Sequence, residues 1–426
     1  MIKRPRISSS LDTAALSLAL GAAQVLVATT YALVARNSSP TSFGIAVAVL
    51  GLAAILSGVV DFGLNGYLVR ELAARRVMPV QVFQRLLRRF VLLFLLCLTL
   101  VILAALLEFL TDLAILGPCF AACLVVLSNN FGQSAQVPAR ARGQVKVISL
   151  ATLSDRLAGL LIALALISMN VSALWMLVFS VTAGQLASGA ILLLATAEIR
   201  GAPRSMSRWL RGLGSPQSWV RAWQGSLHYG VAGLAGAFQQ IDTTLLSVSG
   251  GLYATGIYGG VARWTQPLVL PATALSQAIA GEVASASSLR TAARAVMRSS
   301  WLLILGVIGS VTFAIASEPL TLLVLGPAYS GAGTTLSILS LAVIPTLFAQ
   351  PFSLLLQSRK KDRFIGIAMW VTVTLRLVLV VLLGFSMGPE GAAVAVLAQQ
   401  SLMLFLTFGA FWRQFRLERQ QPCHSQ

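Results

Sequence analysis

Charge is what this 426-residue chain has least of. Asp, Glu, Lys and Arg together make up 10% of it, where a soluble domain carries about a quarter. So few charges cannot cover a water-facing surface, and lipid is the expected solvent for most of the molecule. Histidine is nearly absent: His228 and His424 are the only two, which excludes a histidine-built zinc site or a histidine proton relay. The four cysteines, Cys97, Cys119, Cys123 and Cys423, form no spacing that reads as a disulfide or metal framework. Three of them lie inside apolar runs, where cysteine serves as a small filler. There is no nucleotide-binding glycine loop, metal cluster or nucleophile–base pair, so the expectation is a non-enzyme without cofactor or metal.

What the chain does have is apolar length. Hydrophobic residues are 57% of the total. Runs of about 20 residues, enough to cross a bilayer as helix, lie near 12–34, 42–68, 90–108, 113–134, 150–168, 174–197, 230–250, 255–281, 301–317, 334–356, 364–386 and 391–412. That is twelve spans in an all-α, multi-pass membrane protein. The first run is too long for the core of a signal peptide and is read as the first helix.

The basic residues sort by side. Of the 31 Lys and Arg, all but Arg36 and three arginines within spans fall at the termini or in every second loop, the loop after span two with Arg70, Arg75, Arg76, Arg85, Arg88 and Arg89 among them. The opposite loops hold Arg36 beside Glu108, Asp112, Glu318 and Glu390. This is the positive-inside pattern, with both termini cytoplasmic. It accounts for the net charge of +18 without nucleic acid as a partner. The stretch from Arg200 to Arg221, with Trp209, Trp219 and Trp223, reads as an interfacial linker on the inner leaflet.

The halves echo each other. "SFGIAVAV" from Ser42 matches "ATGIYGGV" from Ala254, aligning Gly44 and Ile45 with Gly256 and Ile257. Further on, Arg142 falls opposite Arg359 and Arg156 opposite Arg376, in the same order. An even six spans per half gives both halves one orientation, related by an axis along the membrane normal. The expected organisation is a six-helix bundle over 1–199, a cytoplasmic linker over 200–229, a second bundle over 230–413 and a tail over 414–426. The two pseudo-symmetric bundles would face each other across a central cavity.

A family resemblance rests on these motifs. The "FGIA" leading into span two, the span ending "DFGLNGYLVREL", the run "FQQIDTTLLSVSGGLYATGIYGGVARW" and the closing "GPEGAAVAVLAQQ" resemble the polysaccharide exporters of the MOP superfamily, the Wzx-type oligosaccharide-lipid flippases. Ala46 stands where that family commonly has Tyr, and Arg376 where Asn or an apolar residue is frequent. The resemblance implies a MATE-like fold in the bacterial inner membrane. It also implies export of a polyprenyl-diphosphate-linked oligosaccharide for O-antigen, capsule or exopolysaccharide synthesis, with H+ or Na+ as a possible coupling ion and membrane lipids and other polysaccharide-assembly proteins as partners. A cation-coupled multidrug exporter of the same superfamily is the alternative. A membrane glycosyltransferase or polymerase fits less well, because such an enzyme needs a substantial outer loop and the longest one here runs from about Glu318 to Thr334.

Once loop charges are set aside, the ionisable groups within spans are Asp155, Arg156, Asp242, Arg263 and Arg376, with Asp61 near an end. A charge at the bilayer centre costs roughly 2.5–3.5 kcal/mol on insertion scales and is kept where it meets a wet cavity or a partner. At 1.5 Å per residue, Asp242 and Arg376 lie about 18 Å deep, near the midplane. Arg263, Arg376 and Arg156 would then give an anionic head group a path across the bilayer, with Asp242 as the ion-coupling acid. Alternatively Arg376 or Arg263 simply neutralises Asp242, and Asp155 and Arg156 sit at the headgroup level. Gln239 and Gln240 could bond sugar hydroxyls or simply join helices. The segment "GVVDFGLNGYLVREL", residues 58–72, falls at the inner mouth. Asp61, Gly63 and Gly66 are the candidate gate, with Asn65 satisfying freed backbone groups and Arg70 meeting the incoming diphosphate. Pro267, Pro271, Pro345 and Pro351 should kink spans eight and ten.

Overall fold

The structure, a computed structural model, describes residues 10–196, 226–286 and 288–420. The expected linker lies almost wholly outside these residues, as do Trp209, Trp219, Trp223, Cys423 and His424. Every element among the described residues is helical. The chain forms two compact units, Met1–Ser38 with Ile45–Thr244, and Ser39–Gly44 with Leu245–Gln426. The division falls inside the expected seventh span rather than in the linker, so the first part of that span packs with the first half of the chain.

In the first unit run α1 (Ser10–Arg36), α2 (Pro40–Asp61, from Ile45 onward), α3 (Leu64–Ala73), α4 (Pro79–Thr111), α5 (Leu116–Ala141), α6 (Val145–Ser168), α7 (Ala173–Ala195) and α8 (Leu227–Phe238). In the second run α9 (Asp242–Ser249, from Leu245 onward), α10 (Gly251–Ala262), a 3-10 segment at Arg263–Val269, α11 (Leu270–Ser285), α12 (Leu289–Arg298), α13 (Trp301–Ile315), α14 (Ser317–Val324), α15 (Ala332–Ser358) and α16 (Asp362–Gln420).

Lipid is the solvent these helices are built for. Along α4, Phe94, Leu98, Ile102, Leu106, Phe109 and Leu110 point outward, Phe109 at 85% exposure. Such a stripe is tolerable only against acyl chains. Seven helices among the described residues are long and apolar enough to cross a membrane, eight if the bent pair α12–α13 counts as one. The remaining expected spans are interrupted, merged or more polar. Span seven breaks at Gln239–Ile241 into α8 and α9. Span eight breaks around Pro267, where a ring replaces a backbone donor and the helix tightens to 3-10. Spans eleven and twelve share α16, folded back at Gly388, whose φ of 56° and ψ of −127° are open only to glycine. The expected outer loop after Glu318 is mostly ordered, as α14 and a 3-10 turn at Pro327–Tyr329.

Helices in a bilayer gain little by hiding apolar surface, so they associate by close packing of small residues and by interhelical hydrogen bonds, each worth about 0.6 kcal/mol on average. In the first unit α8 runs antiparallel along α2. A side chain at Gly58 would strike Ala237, and one at Gly51 would strike the hydroxyl of Thr243. Thr244 Oγ1 donates to the Ala48 carbonyl at 2.8 Å. Between α6 and α7, Ser180 Oγ donates to the Gly159 carbonyl at 2.7 Å.

The repeat motif acquires a physical meaning in the second unit. A Cβ at Gly44 would run into the Leu252 carbonyl and lie 3.0 Å from the Gly256 nitrogen, while one at Gly256 would run into the Pro40 carbonyl. Each glycine therefore rests on the residue four places before the other. The contact is reciprocal, and it falls on the residues that the sequence repeat aligns.

Candidate functional site

The interruption after span two is real, and it is made by two residues. Phe62 and Gly63 have φ of 39° and 69°, which ends α2 and restarts the chain as α3. Asp61 spans the break: its Oδ1 accepts the backbone N–H of Asn65 at 3.3 Å, placing a carboxylate where the helix start is positive. This reverses the expected role of Asn65. Its side chain is buried, yet among the described residues neither end of its amide finds a hydrogen-bond partner. It is the Asp61 carboxylate that serves the freed backbone. Gly66 lies on the exposed face of regular α3, and Arg70 is exposed in the last turn of the same helix.

The Asp61 carboxylate has a second partner that sequence reading misplaced. Arg89, grouped with the loop arginines, is 1% exposed, and its guanidinium bonds both Asp61 Oδ1 and Ser134 Oγ. One buried cation thus ties the α2–α3 break to α4 and α5. The loop reading fails because α4 begins at Pro79, about ten residues before the apolar run, so Arg89 lies inside a helix. A proline at a first helical turn, as in "MPVQVFQR", was the available signal.

Farther along the same unit, Asp155 of α6 is buried against the backbone of Gly184. Gln185 Nε2 donates to its Oδ2 at 3.2 Å, and Arg156 Nε lies 3.6 Å from the same oxygen. Arg156 is therefore an ion-pair partner, half-buried, rather than a cation standing apart. Gln185, which sequence reading did not nominate, lies against Gly132 of α5 and joins three helices. Gln239 and Gln240 form the turn between α8 and α9, Gln240 exposed and its carbonyl 3.0 Å from where a Gly51 side chain would begin. Asp242 opens α9, buried, with Oδ1 accepting from the Thr243 N–H at 2.8 Å.

In the second unit, Arg376 of α16 is 9% exposed. It donates from Nη1 to Gln399 Oε1 at 3.1 Å and from Nη2 to the Tyr258 hydroxyl at 3.4 Å. Both bonds draw the guanidinium into the interior and fix its orientation. Arg263 begins the 3-10 segment, half-buried, next to the buried Trp264. The nominated residues thus fall into several sites. Asp61 with Gly63, Asp155 with Arg156, and Gln239 and Gln240 with Asp242 lie in the first unit. Arg376 and Arg263 lie in the second.

Comparison with known proteins adds to this geometry. The family described as polysaccharide biosynthesis protein matches residues 11–270. No curated protein sequence matches. Among solved structures, an inward-facing multidrug resistance MATE family transporter of the MOP superfamily superposes with a TM-score of 0.65 at 13% identity, covering 98% of this chain and 97% of its own. The lipid II flippase MurJ in an inward closed conformation gives 0.67 at 10% identity, over 94% of this chain and 90% of its own. A MOP superfamily transporter from Pyrococcus furiosus, described as having a binding pocket of reversed polarity, gives 0.61 at 11% identity, over 96% of each chain. At these identities the likeness is one of fold, and it is the multi-pass transporter fold that the resemblance of the sequence motifs implied.

Proposed function

Because this chain belongs to the polysaccharide biosynthesis protein family, we propose that it is a flippase carrying a polyprenyl-diphosphate-linked oligosaccharide across the bacterial inner membrane. The observation that carries the reading is Arg376, a buried arginine held by Tyr258 and Gln399. A guanidinium in low dielectric is a strong partner for a phosphate and a poor one for a cationic drug. Arg263 is the second cation we assign to the diphosphate, and Asp242 the acid we assign to coupling by H+ or Na+. Gln239 and Gln240 are assigned to sugar hydroxyls.

The test is a deletion strain complemented by variants. Loss of the chain should make lipid-linked repeats accumulate on the cytoplasmic face, and wild type should clear them. Arg376→Gln should lower export at least tenfold at equal membrane abundance, whereas Asp242→Asn should remove dependence on the ion gradient. Export unchanged in Arg376→Gln would end the assignment. The fold shared with a multidrug transporter keeps drug export as the second reading. Efflux of cationic dyes together with normal processing of lipid-linked repeats in the deletion strain would favour it.

A further inference from the structure

We propose that the exposed face of α12 is a docking surface for the headgroups of anionic phospholipids on the cytoplasmic leaflet. This helix is sharply two-sided. Leu289, Ala292 and Ala295 are buried in a core with Val283, Leu347 and Phe411. Arg290, Arg294 and Arg298 recur at intervals of four residues, so they form one stripe along the opposite face, and all three are exposed. Arg298 is held by Glu282 at 2.7 Å. Among the described residues, Arg290 and Arg294 have no carboxylate partner.

The level of this helix in the bilayer is set by the next one. After a bend of 54°, α13 begins at Trp301 and runs on as a lipid-facing span with Ile304, Leu305 and Ile308 outward. Trp301 is 58% exposed and Met297, one turn earlier, 72%. An exposed tryptophan on the first turn of a span marks the headgroup boundary. A helix that leaves the span there, at an angle, carries its arginine stripe in the phosphate layer with its flanking methionine toward the acyl chains. The charge complement is an anionic leaflet, which attracts basic residues near its surface.

The experiment counts lipids retained by the purified full-length protein from micelles holding equal amounts of phosphatidylglycerol and phosphatidylcholine, read by native mass spectrometry. Wild type should retain a several-fold excess of phosphatidylglycerol. Arg290→Gln/Arg294→Gln should lose most of that excess, and Arg290→Lys/Arg294→Lys should keep it, which separates lost charge from lost fold. An unchanged excess in the glutamine variant would overturn the proposal. So would an equal loss from Lys360→Gln/Lys361→Gln, because any basic loop would then do. Equal retention of the two lipids by wild type, or an acidic protein segment or second copy competing the lipid away, would overturn it as well.

Discussion

A single arginine separates two kinds of positive charge here. Most of the basic residues are expected to orient the chain, but Arg89 is removed from water and held by Asp61 and Ser134. Removing one member of a buried pair costs more than the pair is worth, because the survivor is left uncompensated. Arg89→Leu is therefore expected to destabilise the protein by about 3 kcal/mol, seen as a lower melting temperature in detergent. The double change Asp61→Asn/Arg89→Leu should recover part of the loss, since neither charge then remains. A double variant no more stable than Arg89→Leu alone would mean that packing, not charge, holds this point. Gly256 makes the opposite case, a site where nothing can be added. A Cβ there meets a backbone carbonyl, which cannot turn aside as a side chain could. Gly256→Val should cost about 1–3 kcal/mol by overpacking, and size-exclusion profiles of the solubilised protein should show less monodisperse material.

At the scale of the element, the break between α2 and α3 belongs to Gly63 and not to Gly66. Any other residue at Gly63 must adopt a left-handed backbone, at roughly 1–2 kcal/mol, while Gly66 sits exposed in ordinary helix. Gly63→Leu is expected to impair export while the chain still inserts, and Gly66→Leu should be tolerated. Accumulation of lipid-linked repeats at matched membrane abundance distinguishes the two. How much of this could be read beforehand depends on the kind of information needed. Apolar length and glycine placement located the spans and the interruption near Asp61, because those signals are local. Asp61 meets Arg89, Asp155 meets Gln185 and Arg376 meets Tyr258 across 28, 30 and 118 residues of chain, and composition carries no trace of such pairings. Breaks with weak local signals were missed too. Nothing in "FQQID" announces a helix end, yet α8 stops there, and Thr243 and Thr244 bond backbone carbonyls of α2 instead. The placement of Arg85, Arg88 and Arg89 in a loop failed for the reverse reason, since the helix start marked by Pro79 outweighs the polarity of the turns after it.

For the molecule as a whole, the distribution of lysine and arginine makes a prediction independent of any site. A green fluorescent protein fused after Gln426 should fluoresce, and alkaline phosphatase in its place should be inactive, since the terminus is expected in the cytoplasm. Active phosphatase would invert every assignment of inner and outer loops. The repeat within the chain adds a deeper regularity, at Gly44 and Gly256. Two identical half-length proteins, meeting about a two-fold axis, would place this same glycine against its own counterpart. Fusing their genes would leave the contact as it stands, now written twice. Most positions in the two copies are then at liberty to diverge, Arg156 and Arg376 among them. These two glycines are not, because each is the wall against which the other is cut.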